Sequence, residues 1–162
     1  MDKVYGAIHQ KGAAWYTQMG RIFDGIHNSQ RNYNWLITDI DCVPPRIWAL
    51  SQAAGYCWLT GEELTRIVRE DDSQWVWAVL SGFSPEIPLS QILRFPLPCA
   101  GGYEGFWKTP LSIQHPLAHI QIVPWDSSLT LFFSRQEELV RDFLRSIPLS
   151  QELSSYITQQ CP

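Results

Sequence analysis

Cys99, His115, His119 and Asp126 are the residues whose types and order could carry chemistry. A thiol, imidazoles and a carboxylate are the side chains of a zinc site or of a Cys–His–Asp hydrolase. Positions four apart share one face of a helix or of a strand, so His115 and His119 could converge. Pro116 and the strand-like run from Ala118 argue against a helix there. In a strand, their Cα atoms lie about 13 Å apart. That is too far for one zinc, whose bonds to nitrogen are about 2.0 Å. The expectation is ordinary histidines, with no metal ligands and no cofactor.

Thiol catalysis is recognised by the geometry of nucleophile, base and orienting acid, and the surroundings of Cys99 carry no local signature of it. A free cysteine usually behaves as a small hydrophobe. Cys99, His115 and Asp126 therefore remain catalytic candidates without a motif behind them. Gly101-Gly102-Tyr103-Glu104-Gly105 is glycine-rich but lacks the lysine and hydroxyl of a P-loop. Among the acids, Glu62-Glu63 open a helix and Asp71-Asp72 fall in a turn. Asp39 and Asp41 alternate at a strand end and could share a side.

The aromatics are the other unusual resource, with 8 tryptophans in 162 residues. Trp15, Trp35 and Trp77 sit on patterned elements and are expected in the core. Trp48, Trp107 and Trp125 fall at loops or strand ends. Tryptophan and tyrosine are enriched at binding hot spots. Tyr103, Phe106, Trp107 and Trp125 are therefore the candidate recognition residues. The competing reading is that they cover the sheet beneath a long loop.

The elements that must position these residues follow from periodicity. Val4 to Ile8 reads as a strand. From Ala13, the three- and four-residue spacing of Trp15, Met19, Ile22, Phe23 and Ile26 predicts a helix, followed by a polar loop from Asn28 to Asn32. Tyr33 to Ile40 alternates as a strand and stops at Pro44-Pro45. Arg46 to Ala54 fits either a helical turn or a strand. Tyr56 to Leu59 is a short strand, and Thr60-Gly61-Glu62-Glu63 is a capping box opening a helix that buries Leu64, Ile67 and Val68. Gln74 to Ser81, apolar on both faces, predicts a central strand.

Residues 85–117 hold much of the proline, and the spacing predicts an irregular connection with one short helix at Leu89 to Leu93. Ala118 to Pro124 and Leu129 to Phe133 form a hairpin about Asp126-Ser127-Ser128. Ser134-Arg135-Gln136-Glu137 reads as a second capping box, ahead of a helix that Pro148 ends. A last short helix runs from Ser150 through Tyr156. The sum is a single α+β domain over residues 1–162. It has a largely antiparallel sheet of about five or six short strands, with helices mainly on one face.

Apolar residues make up 45% of the chain, enough for a core without disulfides or metal at this length. The net charge is −4 and the pI near 5.5, which opposes general nucleic-acid binding, since that needs a basic face. No run approaches the roughly 20 apolar residues of a membrane span, and no signal-peptide pattern follows Met1. Cys42, Cys57, Cys99 and Cys161 show no CxxC pairing, so four thiols in a reducing cytoplasm are expected.

The order of motifs resembles a family of small bacterial proteins built on a domain of unknown function. The resemblance covers about residues 33 to 147: a Trp35 strand, Thr60-Gly61-Glu62-Glu63-Leu64, the aromatic Trp75–Leu80 strand, Phe83-Ser84-Pro85, the Asp126 hairpin and a terminal helix. The N-terminal helix and the Pro/Gly-rich insert depart from it. It implies a bacterial cytoplasmic origin and no site residues.

Together these readings favour a non-catalytic protein-binding module, in its specific version an immunity-type protein that neutralises a toxin domain. Its partner would be another protein, met through the loop at 95–110. The alternative is a small enzyme or small-ligand binder with a pocket under the 95–117 loop.

Overall fold

The computed structural model describes residues 2–160; the expectation of a free thiol at Cys161 lies outside them. The strands are β1 (Tyr5–His9), β2 (Asn34–Asp41), β3 (Cys57–Thr60), β4 (Trp77–Phe83), β5 (Ile120–Trp125), β6 (Leu129–Ser134) and β7 (Gln151–Glu152). The α-helices are α1 (Met19–Gly25), α2 (Pro45–Ser51), α3 (Gly61–Glu70), α4 (Leu89–Ile92), α5 (Glu137–Ser146) and α6 (Leu153–Gln160). The strands make one antiparallel sheet in the order β3-β2-β4-β5-β6-β1-β7. This is the α+β class that the patterning predicts. The seventh strand, β7, has only 2 residues and no room for a periodic signal.

Alternation along the strands sends side chains to both faces, and both are buried. Trp35, Ile37, Ala78, Leu80, Ile122 and Phe132 face one side, where α1, α2, α3 and α5 pack. Leu36, Val79, Val123, Leu131 and Phe133 face the other. That second face is covered by α4, by the irregular connection after it and by α6, through Ile92, Phe106, Ile113 and Ile157. The central strands therefore read as apolar throughout, as expected of a sheet with two covers.

Local chemistry explains most boundaries. At α3 the Glu63 amide donates to Thr60 Oγ1 at 3.1 Å and the Thr60 amide to Glu63 Oε1 at 2.9 Å, so the capping box is complete. The expected box at Ser134 does not form. Ser134 is the last residue of β6, its Oγ accepts the Gln136 amide at 3.0 Å, and α5 begins only at Glu137. The polar stretch 28–32 is a 3₁₀ turn whose Gln30 is buried and donates to Thr65 Oγ1 at 3.0 Å.

The first helix is shorter than its spacing suggests. Met19, Ile22, Phe23 and Ile26 are buried as predicted, but Trp15 is 54% exposed and lies outside α1. Tertiary bonds compete with the helix here. The Thr17 carbonyl accepts the Trp75 amide at 3.1 Å and the Tyr16 carbonyl accepts the Thr130 hydroxyl at 2.6 Å. At the other end of the sheet, β4 runs through Gly82 to Phe83 rather than breaking after Ser81. Gly82 is required by packing. A Cβ there would collide with Ile120 Cγ2 and press on the Trp35 ring at 3.1 Å.

Candidate functional site

The residues with catalytic potential are separated or tied into structure. His115 is fully buried, edge-on to Phe83 at 4.9 Å and to Phe95 at 5.1 Å. Its Nδ1 accepts the Leu117 amide at 3.1 Å, which places the proton on Nε2, 3.0 Å from the Ile92 carbonyl. Burial pushes its pKa below the ordinary imidazole value, so the ring is neutral. Both nitrogens are spent on clasping the loop.

His119 is exposed and edge-on to Tyr33 at 6.4 Å. Among the described residues, no group of three or more His, Cys, Asp or Glu converges on a possible metal ion. Asp126 lies in the β5–β6 turn with φ +50°, a conformation Asp tolerates. Strand β5, of 6 residues, stands between Asp126 and the end holding His119, a separation of roughly 20 Å. His119 and Asp126 are therefore not placed to work together.

Cys99 is held by Gln114 at both its backbone and its sulfur. Its amide donates to Gln114 Oε1 at 3.1 Å and its Sγ receives Gln114 Nε2 at 3.7 Å. The Gln114 amide in turn donates to Gln121 Oε1 at 3.3 Å, and Gln121 Nε2 to Ser81 Oγ at 2.9 Å. This polar chain runs from the buried centre of the sheet to the loop. Thr38 adds a 2.7 Å bond from its hydroxyl to the Pro98 carbonyl. A loop this long needs such bonds, because buried backbone groups must find partners.

The glycine-rich stretch holds a carboxylate of its own chain. Strand β2 bulges between Thr38 and Asp41, with Asp39 at φ +50°. Asp39 Oδ2 accepts the Ala100 amide at 2.8 Å and the Gly101 amide at 3.0 Å. The bulge also breaks the simple alternation of Asp39 and Asp41. Even so, both line one cleft of about 210 Å³ with Trp77 and Gly101. A second cleft of about 330 Å³ shares Asp41 and adds Cys42, Val43, Pro45 and Trp48. Cys42 donates to Asp41, which with that neighbouring charge raises the thiol pKa and keeps the sulfur protonated.

Around these clefts stands a group of aromatics. Trp125 is edge-on to Trp77 at 4.7 Å and to Trp107 at 5.3 Å. All three are partly exposed, and Trp48 is 52% exposed. Tyr103, also partly exposed, leans on Phe106 at 4.7 Å, which packs on Phe133 at 5.5 Å. Phe106 has no exposed surface, so as a recognition residue it is corrected: it is core cover. Trp77, expected in the core, instead reaches the rim because it lies at the start of β4. Alternation could not separate a strand-end rim position from a core one.

Fold and site together define an α+β sheet protein whose polar groups secure a long ordered loop and whose Trp77–Trp125 end is aromatic and acidic. No family model, no curated protein and no solved structure matches this chain. Among the described residues, no helix is long and apolar enough to cross a membrane.

Proposed function

We propose that this chain is a non-catalytic protein-binding module that engages a partner through the sheet end bearing Trp48, Trp77, Trp107 and Trp125. Asp39 and Asp41 give that end a negative sign, and the whole chain carries −4. The fitting partner is a protein with a basic face, and the specific version is an immunity-type protein that covers a toxin domain. Nucleic acid and anionic membranes fit the sign poorly.

The observation that carries this reading is the tether from Asp39 to the Ala100 and Gly101 amides. It holds the loop against the bulge while the indoles beside it stay partly in solvent. Fixed indoles beside carboxylates lose little conformational freedom on docking, which favours affinity. The histidine and cysteine that could have acted as base and nucleophile are held by the loop's own hydrogen bonds.

The test is native mass spectrometry of the tagged protein recovered gently from its own host. A complex that Trp107→Ala and Asp41→Lys each dissolve, with circular dichroism unchanged, supports the reading. A chain recovered alone, or a complex indifferent to Trp48, Trp77, Trp107 and Trp125, overturns it.

A further inference from the structure

We infer that the cleft beside residues 111–117 is a binding site for a small amphipathic carboxylic acid. This goes beyond the protein-binding reading and stands or falls without it. The cleft has a volume of about 540 Å³, within the range of roughly 300–1,000 Å³ usual for small-molecule sites. Val4, Ile87, Leu111, Ile113 and Leu117 give it apolar walls, and Arg135 and His119 stand in its lining.

Arg135 supplies the selectivity. Its Nε donates to the Ala118 carbonyl at 2.9 Å and its Nη2 to the Pro116 carbonyl at 3.4 Å. The backbone is pinned too, the Arg135 amide donating to the His119 carbonyl at 3.0 Å. The guanidinium is thus held in place with Nη1 uncommitted. No carboxylate of the described residues lies within salt-bridge distance of it. Arg21, Arg46, Arg66 and Arg94 also have no such partner, but those four are exposed to water, whereas Arg135 is half-buried in the cleft. A half-buried cation that is already fixed and lacks a counterion favours an anion. Its planar fork suits a carboxylate.

The other groups narrow the class. Apolar walls favour a hydrocarbon tail over a sugar or a bare inorganic ion. Asp2, also in the lining, disfavours a second negative charge on the ligand. A monoanion with an apolar body satisfies both conditions; a phosphate dianion does not.

The experiment titrates the isotopically labelled protein with octanoate, octanol and octylammonium, followed by amide and Arg135 side-chain NMR shifts. Saturable shifts at Leu111, Ile113 and Arg135 are expected. Octanoate should bind at least about tenfold tighter than octanol, the scale of one charge-assisted hydrogen bond. Octylammonium should bind weakest. Arg135→Gln should reduce octanoate to the level of octanol. Because Arg135 also clasps the Pro116 and Ala118 carbonyls, Ser112→Trp serves as a second variant. Ser112 is exposed and lines the cleft, so an indole there should fill the space and abolish the shifts with the fold intact. Equal affinity for octanol and octanoate, shifts that map elsewhere or survive Ser112→Trp, or no saturable shift would each overturn the inference.

Discussion

Asp39 and Gly101, 62 positions apart in sequence, are joined by a 3.0 Å hydrogen bond from the Gly101 amide to the Asp39 carboxylate. With the 2.8 Å bond from Ala100, it fastens the long connection to the β2 bulge. Asp39→Ala removes the one oxygen, Oδ2, that accepts both bonds, and leaves a Cβ residue at φ +50°. It should cost about 1–3 kcal/mol. Asp39→Asn should cost less, because its carbonyl still accepts and asparagine tolerates this backbone region. Urea unfolding measures the loss, and hydrogen exchange at Ala100 and Gly101 locates it. Unchanged exchange at those amides in Asp39→Ala would show that the tether does not order the loop.

Phe106 and Trp107 are neighbours in sequence with opposite duties. Phe106 is fully buried against Phe133, so Phe106→Ala should destabilise by about 3–5 kcal/mol. Trp107 is partly exposed, and Trp107→Ala should cost less than half as much while weakening partner binding. Thermal or urea denaturation of the pair decides this. Equal losses would place Trp107 in the core and remove it from the rim.

His9 makes stability depend on pH. Its ring is fully buried and edge-on to Tyr16 at 5.0 Å. Among the described residues neither nitrogen makes a well-aligned hydrogen bond, and the nearby Trp15 backbone offsets only part of the cost of charging the ring. Burial, and secondarily the positive charge of Arg21, lowers its pKa from 6.5 to about 4. The unfolded chain therefore binds a proton that the folded chain refuses between those values. Stability is full above pH 6.5 and falls as the pH drops toward 4, by about 1.4 kcal/mol per pH unit and roughly 3 kcal/mol in all. Carboxylates titrate in the lower part of this window, so the informative quantity is the difference between the native protein and His9→Leu. The native curve should fall more steeply than the variant's from pH 6.5 downward. Parallel curves would mean that His9 titrates normally in the folded state.

The class of fold was legible because its signals are local. The Thr60–Glu63 box, the Leu64–Ile67–Val68 stripe and the Asp126 turn each lie within a few residues, and each is where patterning places it. Trp15 misleads because its spacing fits a helix, while bonds to Trp75 and Thr130, far off in sequence, take the backbone elsewhere. The rim was half legible. Trp107 and Trp125 stand at loop and strand ends, as their sequence context suggests. Trp77 shares its strand's apolar pattern and hides its exposure. The partnership of Asp39 with Gly101 needs the bulge and the loop path together, and neither leaves a periodic trace. In the sequence Arg135 falls inside the Ser134–Glu137 capping pattern, which hides its place in the cleft, and the structure lacks that cap.

The Ser81–Gln121–Gln114–Cys99 chain yields a last prediction, one that separates a structural thiol from a reactive one. Gln121 is fully buried and serves both neighbours, donating to Ser81 and accepting from the Gln114 amide. Gln121→Leu keeps the volume but strands both, at about 1–3 kcal/mol for each group left unpaired in the interior. Adding Ser81→Ala removes one stranded group and should recover part of that loss. Loosening Gln114 also releases its hold on the Cys99 amide and sulfur. Iodoacetamide labelling of Cys99 should therefore be no faster than free cysteine in the native protein and should accelerate in Gln121→Leu. Cys57 is the internal control. It is buried, with its pKa pushed up to about 11 by that burial and by Glu63, and it should stay unlabelled in both. Native labelling faster than free cysteine would mean an activated thiol at Cys99. The clasp from Gln114 would then be part of a reactive site rather than a fastening for the loop.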